Sequence, residues 1–150
     1  MELHFPEITF AAAHYIPGHG KCGGIHGHTY FVRDLVVSAR ARSGPWYRIT
    51  TDGMLLDFGI IKKYFEEEWD HKFIVPEADE EMWQGIPSQG PGHSNLKLLK
   101  FTTCEYMACI IRDELVALAK KEMRPDYGHY LDGAHVSFGL YEGPHQGVKV

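Results

Sequence analysis

Residues 17–42 read PGHGKCGGIHGHTYFVRDLVVSARAR, and the change of character inside this stretch decides the architecture. Its first eleven residues, Pro17 to Gly27, carry five glycines. That much backbone freedom forbids regular structure and lets the chain approach a ligand closely. From His28 to Arg42 the composition turns to Val, Thr, Tyr and Phe in partial alternation, which reads as a strand. Residues 3–16 read as a strand as well, so the two form a hairpin around the glycine-rich loop.

Downstream, after Ser43-Gly44-Pro45, residues 46–58 look like a weaker extension of the second strand, ending in MLLDF. Asp57 is placed to cap a helix over about 58–69, with Ile60, Ile61, Tyr64, Phe65 and Trp69 on one face. Residues 74–100, with Gly90-Pro91-Gly92 near their end, read as a long loop of the kind that serves as a lid or an insertion. A second helix spans about 103–123: Thr102 and Glu105 match a capping box, and Met107, Ile111, Leu115, Leu118 and Met123 follow helical spacing. AHVSFGLYE (134–142) alternates as a strand with Val136, Phe138 and Leu140 facing one way, and a short strand follows Gly143-Pro144. Two strands, two helices and then strands is an α+β order.

Composition bounds the function. The 150 residues fit one domain, 1–150, and such a chain buries roughly 68–70% of the surface it exposes unfolded, so no disulfide staple is required. Fifteen Lys and Arg against 20 Asp and Glu leave a net charge of −5 with no basic block, which argues against direct nucleic-acid binding. The longest apolar run, Tyr106 to Ile111, is far too short to span a membrane. Three cysteines and an N-terminus MELHFPEITF without a basic or apolar leader point to a reducing, cytoplasmic setting. Ten histidines ask for an account, since imidazole is the commonest metal ligand.

His26-Gly27-His28 is the densest signal: on a strand, residues 26 and 28 share a face with their backbones about 7 Å apart. His14, twelve residues earlier near the end of strand one, is placed by a hairpin as a third ligand. Three neutral imidazoles with an open position is the pattern of a catalytic zinc. Cys22 is either a fourth ligand or a free thiol near a metal-bound substrate; beside a cation and Lys21 its pKa would fall, making it a usable base. Asp70-His71 is either an oriented acid–base pair or a helix C-terminal turn. Glu142, ending an apolar strand, is either solvated or accepts two parallel N–H bonds from a planar heterocycle.

Together, Phe10-Ala-Ala-Ala-His14, Cys22-Gly-Gly-Ile-His26-Gly-His28-Thr-Tyr30, Gly53-Met-Leu-Leu-Asp57-Phe58, Asp70-His71-Lys72, Thr103-Cys104-Glu105 and Tyr141-Glu142 resemble the 6-pyruvoyltetrahydropterin synthase and 6-carboxytetrahydropterin synthase family. The resemblance implies the tunnelling fold, an antiparallel sheet with two helices packed on one face. It also implies a homo-oligomer, commonly a hexamer, with active sites between subunits. It assigns His14, His26 and His28 to zinc and Cys22, Asp70 and His71 to proton transfer. Glu142 would anchor the pterin ring, with Thr103 and Glu105 lining its pocket. The substrate implied is 7,8-dihydroneopterin triphosphate. The three residues between Cys22 and His26 look like the short bacterial and archaeal 6-carboxytetrahydropterin synthases, which release acetaldehyde and feed 7-deazaguanine synthesis; animal pyruvoyl enzymes have a longer gap. A non-catalytic zinc and pterin- or purine-binding protein is the competing class. The chain departs from the family in reading Phe101-Thr102-Thr103 where Pro-Thr is frequent, so Glu105 serves either as cap partner or at the substrate.

Overall fold

Side-chain alternation along the first two strands builds one apolar face, and the rest of the chain packs on it. The computed structural model describes residues 2–41, 54–85, 95–123 and 131–150. β1 (Glu2–His14) and β2 (His26–Ala41) pair antiparallel without a slip, from Glu2 opposite Ser38 to His14 opposite His26. Phe10, Ala12 and His14 point inward from β1, and Tyr30 and Val32 from β2. Nearer the other end, Phe5, Leu35 and Val37 are the buried residues, so both strands change inward parity around Pro6 and Asp34. A proline with no N–H and an Asp at φ 54° stand at that point, and β2 shifts register against the next strand between Arg33 and Val36. The irregularity keeps one continuous buried face where unbroken alternation would have turned half of it to solvent.

β5 (Leu131–Glu142) lies antiparallel to β2, and β6 (Gln146–Lys149) closes that side. On the other side β3 (Lys72–Pro76) runs parallel to β1, and β4 (Leu96–Leu99) parallel to β3. The six-stranded order is β4-β3-β1-β2-β5-β6, mostly antiparallel. The helices α1 (Phe58–Glu68) and α3 (Cys104–Glu122) cover the apolar face, while α2 (Glu80–Gln84) is a short turn. α1 contributes Ile61, Tyr64 and Phe65, and α3 contributes Met107, Ala108, Ile111, Leu115 and Ala119. The Phe10 ring holds the layers together, 5.0 Å from Tyr30, 6.0 Å from Phe65 and 5.8 Å from Trp69. No helix among the described residues is long and apolar enough to cross a membrane.

Asp57 caps α1 as expected, its carboxylate accepting the Gly59 N–H at 2.7 Å. Asp57→Ala should cost about 1 kcal/mol, lowering the melting temperature by about 2–4 °C in a chain of this size; thermal circular dichroism reads it.

Three expectations need correction. Residues 74–100 are not one loop: they hold most of β3, α2 and β4, elements of four or five residues that the pattern reading cannot separate from a linker; Gly90-Pro91-Gly92 lies outside the described residues. Met54 to Asp57 form no strand; Leu55 and Leu56 are apolar because they are buried against the core, and 46–53 lie outside the described residues. The capping box of Thr102 and Glu105 does not form. Thr103 is the N-cap, its hydroxyl taking the Tyr106 N–H, while Thr102 is buried and bonded elsewhere. Two successive threonines precede the helix, and only packing decides which of them caps it.

Candidate metal centre and substrate pocket

The hairpin sets His14 directly across from His26, and strand alternation puts His28 on the same face. The three ring centroids lie 4.6, 4.8 and 5.2 Å apart, and one nitrogen from each ring falls within 4.8 Å of the others. Two of the tautomers are set by carbonyls. His14 Nδ1–H donates to Thr102 O and His26 Nδ1–H to Gly24 O, both at 2.8 Å, so each ring presents a bare Nε2. Such outer partners orient metal-binding imidazoles. His14 is 1% exposed, and its Nε2 is the one buried side-chain polar atom without a partner among the described residues. Burial, above all, holds the His14 pKa below its ordinary value, with the neighbouring His26 and His28 adding to that; the Thr102 carbonyl and Glu142 pull the other way. A neutral imidazole with an orphaned lone pair facing two others fits a divalent cation such as zinc.

The glycine-rich loop turns back on itself. Ile16 N–H donates to Cys22 O at 2.8 Å, and Cys22 N–H to His19 Nδ1 at 3.1 Å. Gly23 is required here, because a Cβ would fall 2.4 Å from His19 O. The close approach expected of this loop is thus partly to the chain itself. Cys22 is half-buried, and the group of candidate ligands comprises the three histidines without it.

Glu142 reaches the cluster from the far end of β5. Its Oε1 lies 3.8 Å from His14 Nε2 and accepts the Tyr30 hydroxyl at 3.3 Å. The start of α3 packs alongside: the Thr102 hydroxyl donates to Tyr15 O while its carbonyl receives His14, and Cys104 Sγ lies 3.5 Å from Leu140 O. Thr103 is used as the cap, and Glu105 is exposed in the first turn. Burial, then Glu142 and Glu105, push the Cys104 thiol up to about 12. Brief iodoacetamide treatment at pH 8 is therefore expected to leave Cys104 unmodified by peptide mass spectrometry, since the thiolate is the reactive form.

Asp70 and His71 do make their bond. His71 adopts φ 56°, which brings its Nδ1 to 2.8 Å from Asp70 Oδ2, while Asp70 Oδ1 accepts Ala11 N–H at 2.8 Å. The pair sits in the turn between α1 and β3, where the turn reading of the dipeptide put it, and the carboxylate orients the ring. His71 is 81% exposed. With Lys72 it lines an open depression of about 640 Å³ that runs along the ends of β1 and β2 and includes Ala11, Gly27, Thr29 and His28.

Tyr30 and Thr102 carry more of the site than their sequence context suggested. Tyr30 continues the 26, 28, 30 alternation and could have been placed by it; the carbonyl of Thr102 has no sequence signal at all.

The matrix of known proteins agrees with this geometry. Residues 5–130 match the family model for 6-pyruvoyl tetrahydropterin synthase. The chain is 34% identical over 116 residues to 6-carboxy-5,6,7,8-tetrahydropterin synthase of Rickettsia bellii, covering 73% of this chain and 76% of the relative. It is 34% identical over 79 residues to the enzyme of that name from Haemophilus influenzae, covering 49% and 52%. Among solved structures, an uncharacterised Wolinella succinogenes protein shares the fold at TM-score 0.61 and 18% identity, covering 100% of this chain and 97% of that one. A catalytic-residue variant of 6-pyruvoyltetrahydropterin synthase from Plasmodium vivax does so at TM-score 0.55 and 20% identity, covering 100% and 96%. The tunnelling fold, the family match over residues 5–130 and the histidine cluster lead to one assignment: the chain belongs to the 6-pyruvoyl tetrahydropterin synthase family, a family of pterin synthases.

Proposed function

We propose that this protein is a zinc-dependent lyase, a single cytoplasmic domain over residues 1–150, that breaks a carbon–oxygen bond to release triphosphate and a carbon–carbon bond to release acetaldehyde. It converts 7,8-dihydroneopterin triphosphate to 6-carboxy-5,6,7,8-tetrahydropterin, with loss of triphosphate and acetaldehyde, in 7-deazaguanine synthesis. The observation that carries the reading is the buried, unpartnered His14 Nε2 among three imidazoles beside Glu142, in a chain 34% identical to a relative named for that product. His14, His26 and His28 hold the metal, which when bound supplies Lewis acidity that makes the substrate's side-chain protons easier to remove. Glu142 accepts two N–H groups of the pterin ring and so fixes which side-chain carbon faces Cys22. Thr103 and Glu105 line the ring pocket. Cys22 takes a proton from the side chain, and the Asp70–His71 pair returns one, with Asp70 holding the His71 tautomer.

His71 is 81% exposed in the single chain, with Asp70 bonded to it. This supports a homo-oligomer, a hexamer in the proposal, in which one subunit's Asp70–His71 serves a neighbour's pocket. The test is incubation of the zinc-loaded protein with 7,8-dihydroneopterin triphosphate. Acetaldehyde and 6-carboxytetrahydropterin are expected. Triphosphate release with all three side-chain carbons retained would establish the 6-pyruvoyl activity instead, a reading favoured by the name of the matched family model. Bound pterin without turnover would leave a non-catalytic binding protein.

A further inference from the structure

Glu142 stands between two partners that call for different roles. Its Oε1 accepts from the Tyr30 hydroxyl at 3.3 Å and lies 3.8 Å from the bare Nε2 of His14. Because the His14 Nδ1–H is taken by Thr102, that nitrogen offers a lone pair, and a lone pair and a carboxylate attract each other only through a cation between them. A cation at the three imidazoles therefore also attracts Glu142. Were the carboxylate to join, four protein ligands would close the site, whereas a catalytic zinc keeps a position open. A carboxylate drawn onto the ion would also lose its orientation toward a planar heterocycle.

Tyr30 is built to resist that movement. It is fully buried, its ring stacks on Phe10 at 5.0 Å, and His28 and His14 flank it at 5.8 and 6.1 Å. In the β2–β5 ladder Tyr30 pairs directly with Glu142, so donor and acceptor share one register position.

We infer that Tyr30 is a positioning residue that holds Glu142 off the metal, leaving the carboxylate as ring anchor and the fourth coordination position open. The inference rests on the zinc and pterin reading above. Its test uses the full chain loaded with Co²⁺, whose d–d absorption reports the ligand set, and neopterin binding followed by fluorescence. Glu142→Gln should leave the Co²⁺ spectrum unchanged. Tyr30→Phe should alter it, the Tyr30→Phe/Glu142→Gln double variant should restore it, and Tyr30→Phe should weaken neopterin binding about tenfold, the worth of one hydrogen bond to a charged group. A Tyr30→Phe protein that matches the parent in both spectrum and neopterin affinity overturns the inference while leaving the metal site standing. A parental spectrum changed by Glu142→Gln also overturns it, since Glu142 would then already be a ligand, and this arm can be read even if Tyr30→Phe fails to fold. A parent that binds no Co²⁺ overturns the inference and the metal reading together.

Discussion

His28→Ala is expected to strip the protein of its metal and abolish turnover. Losing an outer-shell partner costs about 10–100-fold in metal affinity, and His28 is one of the three proposed ligands, so the loss should exceed about 100-fold. His28 is preferred to His14 for this test because it is only half-buried. Removing the 1% exposed His14 would also leave a cavity and an unpaired Thr102 carbonyl, mixing folding with binding. The measurement is paired: metal content after dialysis against zinc, and the rise in melting temperature that zinc produces. The parent should gain stability as RT ln(1 + [Zn]/Kd), and the variant should show almost no gain while its metal-free melting temperature stays near the parent's. Stoichiometric zinc in the variant would remove His28 from the ligand set.

Cys22→Ala should have the second largest effect, with the opposite pattern: turnover falls by about 10²–10⁴, the usual worth of a positioned proton-transfer group, while zinc content stays at the parent's. The reason is geometric. Cys22 stands outside the group of three imidazoles, and both hydrogen bonds that hold its loop position use its main chain, which alanine keeps. Loss of zinc and fold together would mean a closed four-ligand site, whose binding energy is folding energy. Unchanged turnover would exclude the thiol from proton transfer.

Long periodic elements were legible. The helices over 58–69 and 103–123 form as α1 and α3 to within a residue or so at each end, because a three- to five-turn apolar stripe has no other way to bury itself. The short β3, α2 and β4 were not, since four or five residues carry too few periods to register, and their pairing partners lie far away in the sequence. The network around Lys97 was invisible for the same reason: its Nζ sits 3.3 Å from Glu114 on α3 and 4.3 Å from the Trp69 ring centroid after α1, a meeting of three separate segments.

By itself the chain determined which chemistry was available. His14, His26 and His28 follow from strand alternation and hairpin pairing, both local rules, and the ordered motifs around them sufficed to indicate the family. Tertiary structure decided how that chemistry is held. Which Nε2 is bare depends on the carbonyls of Gly24 and Thr102; Glu142 meets His14 only because β5 lies beside β2; and the φ of 56° at His71 closes a bond that an extended backbone would have pulled apart. Sequence spacing prescribes direction within one strand or helix, but hydrogen bonds between segments 88 or 112 residues apart exist only once the sheet and helices have packed.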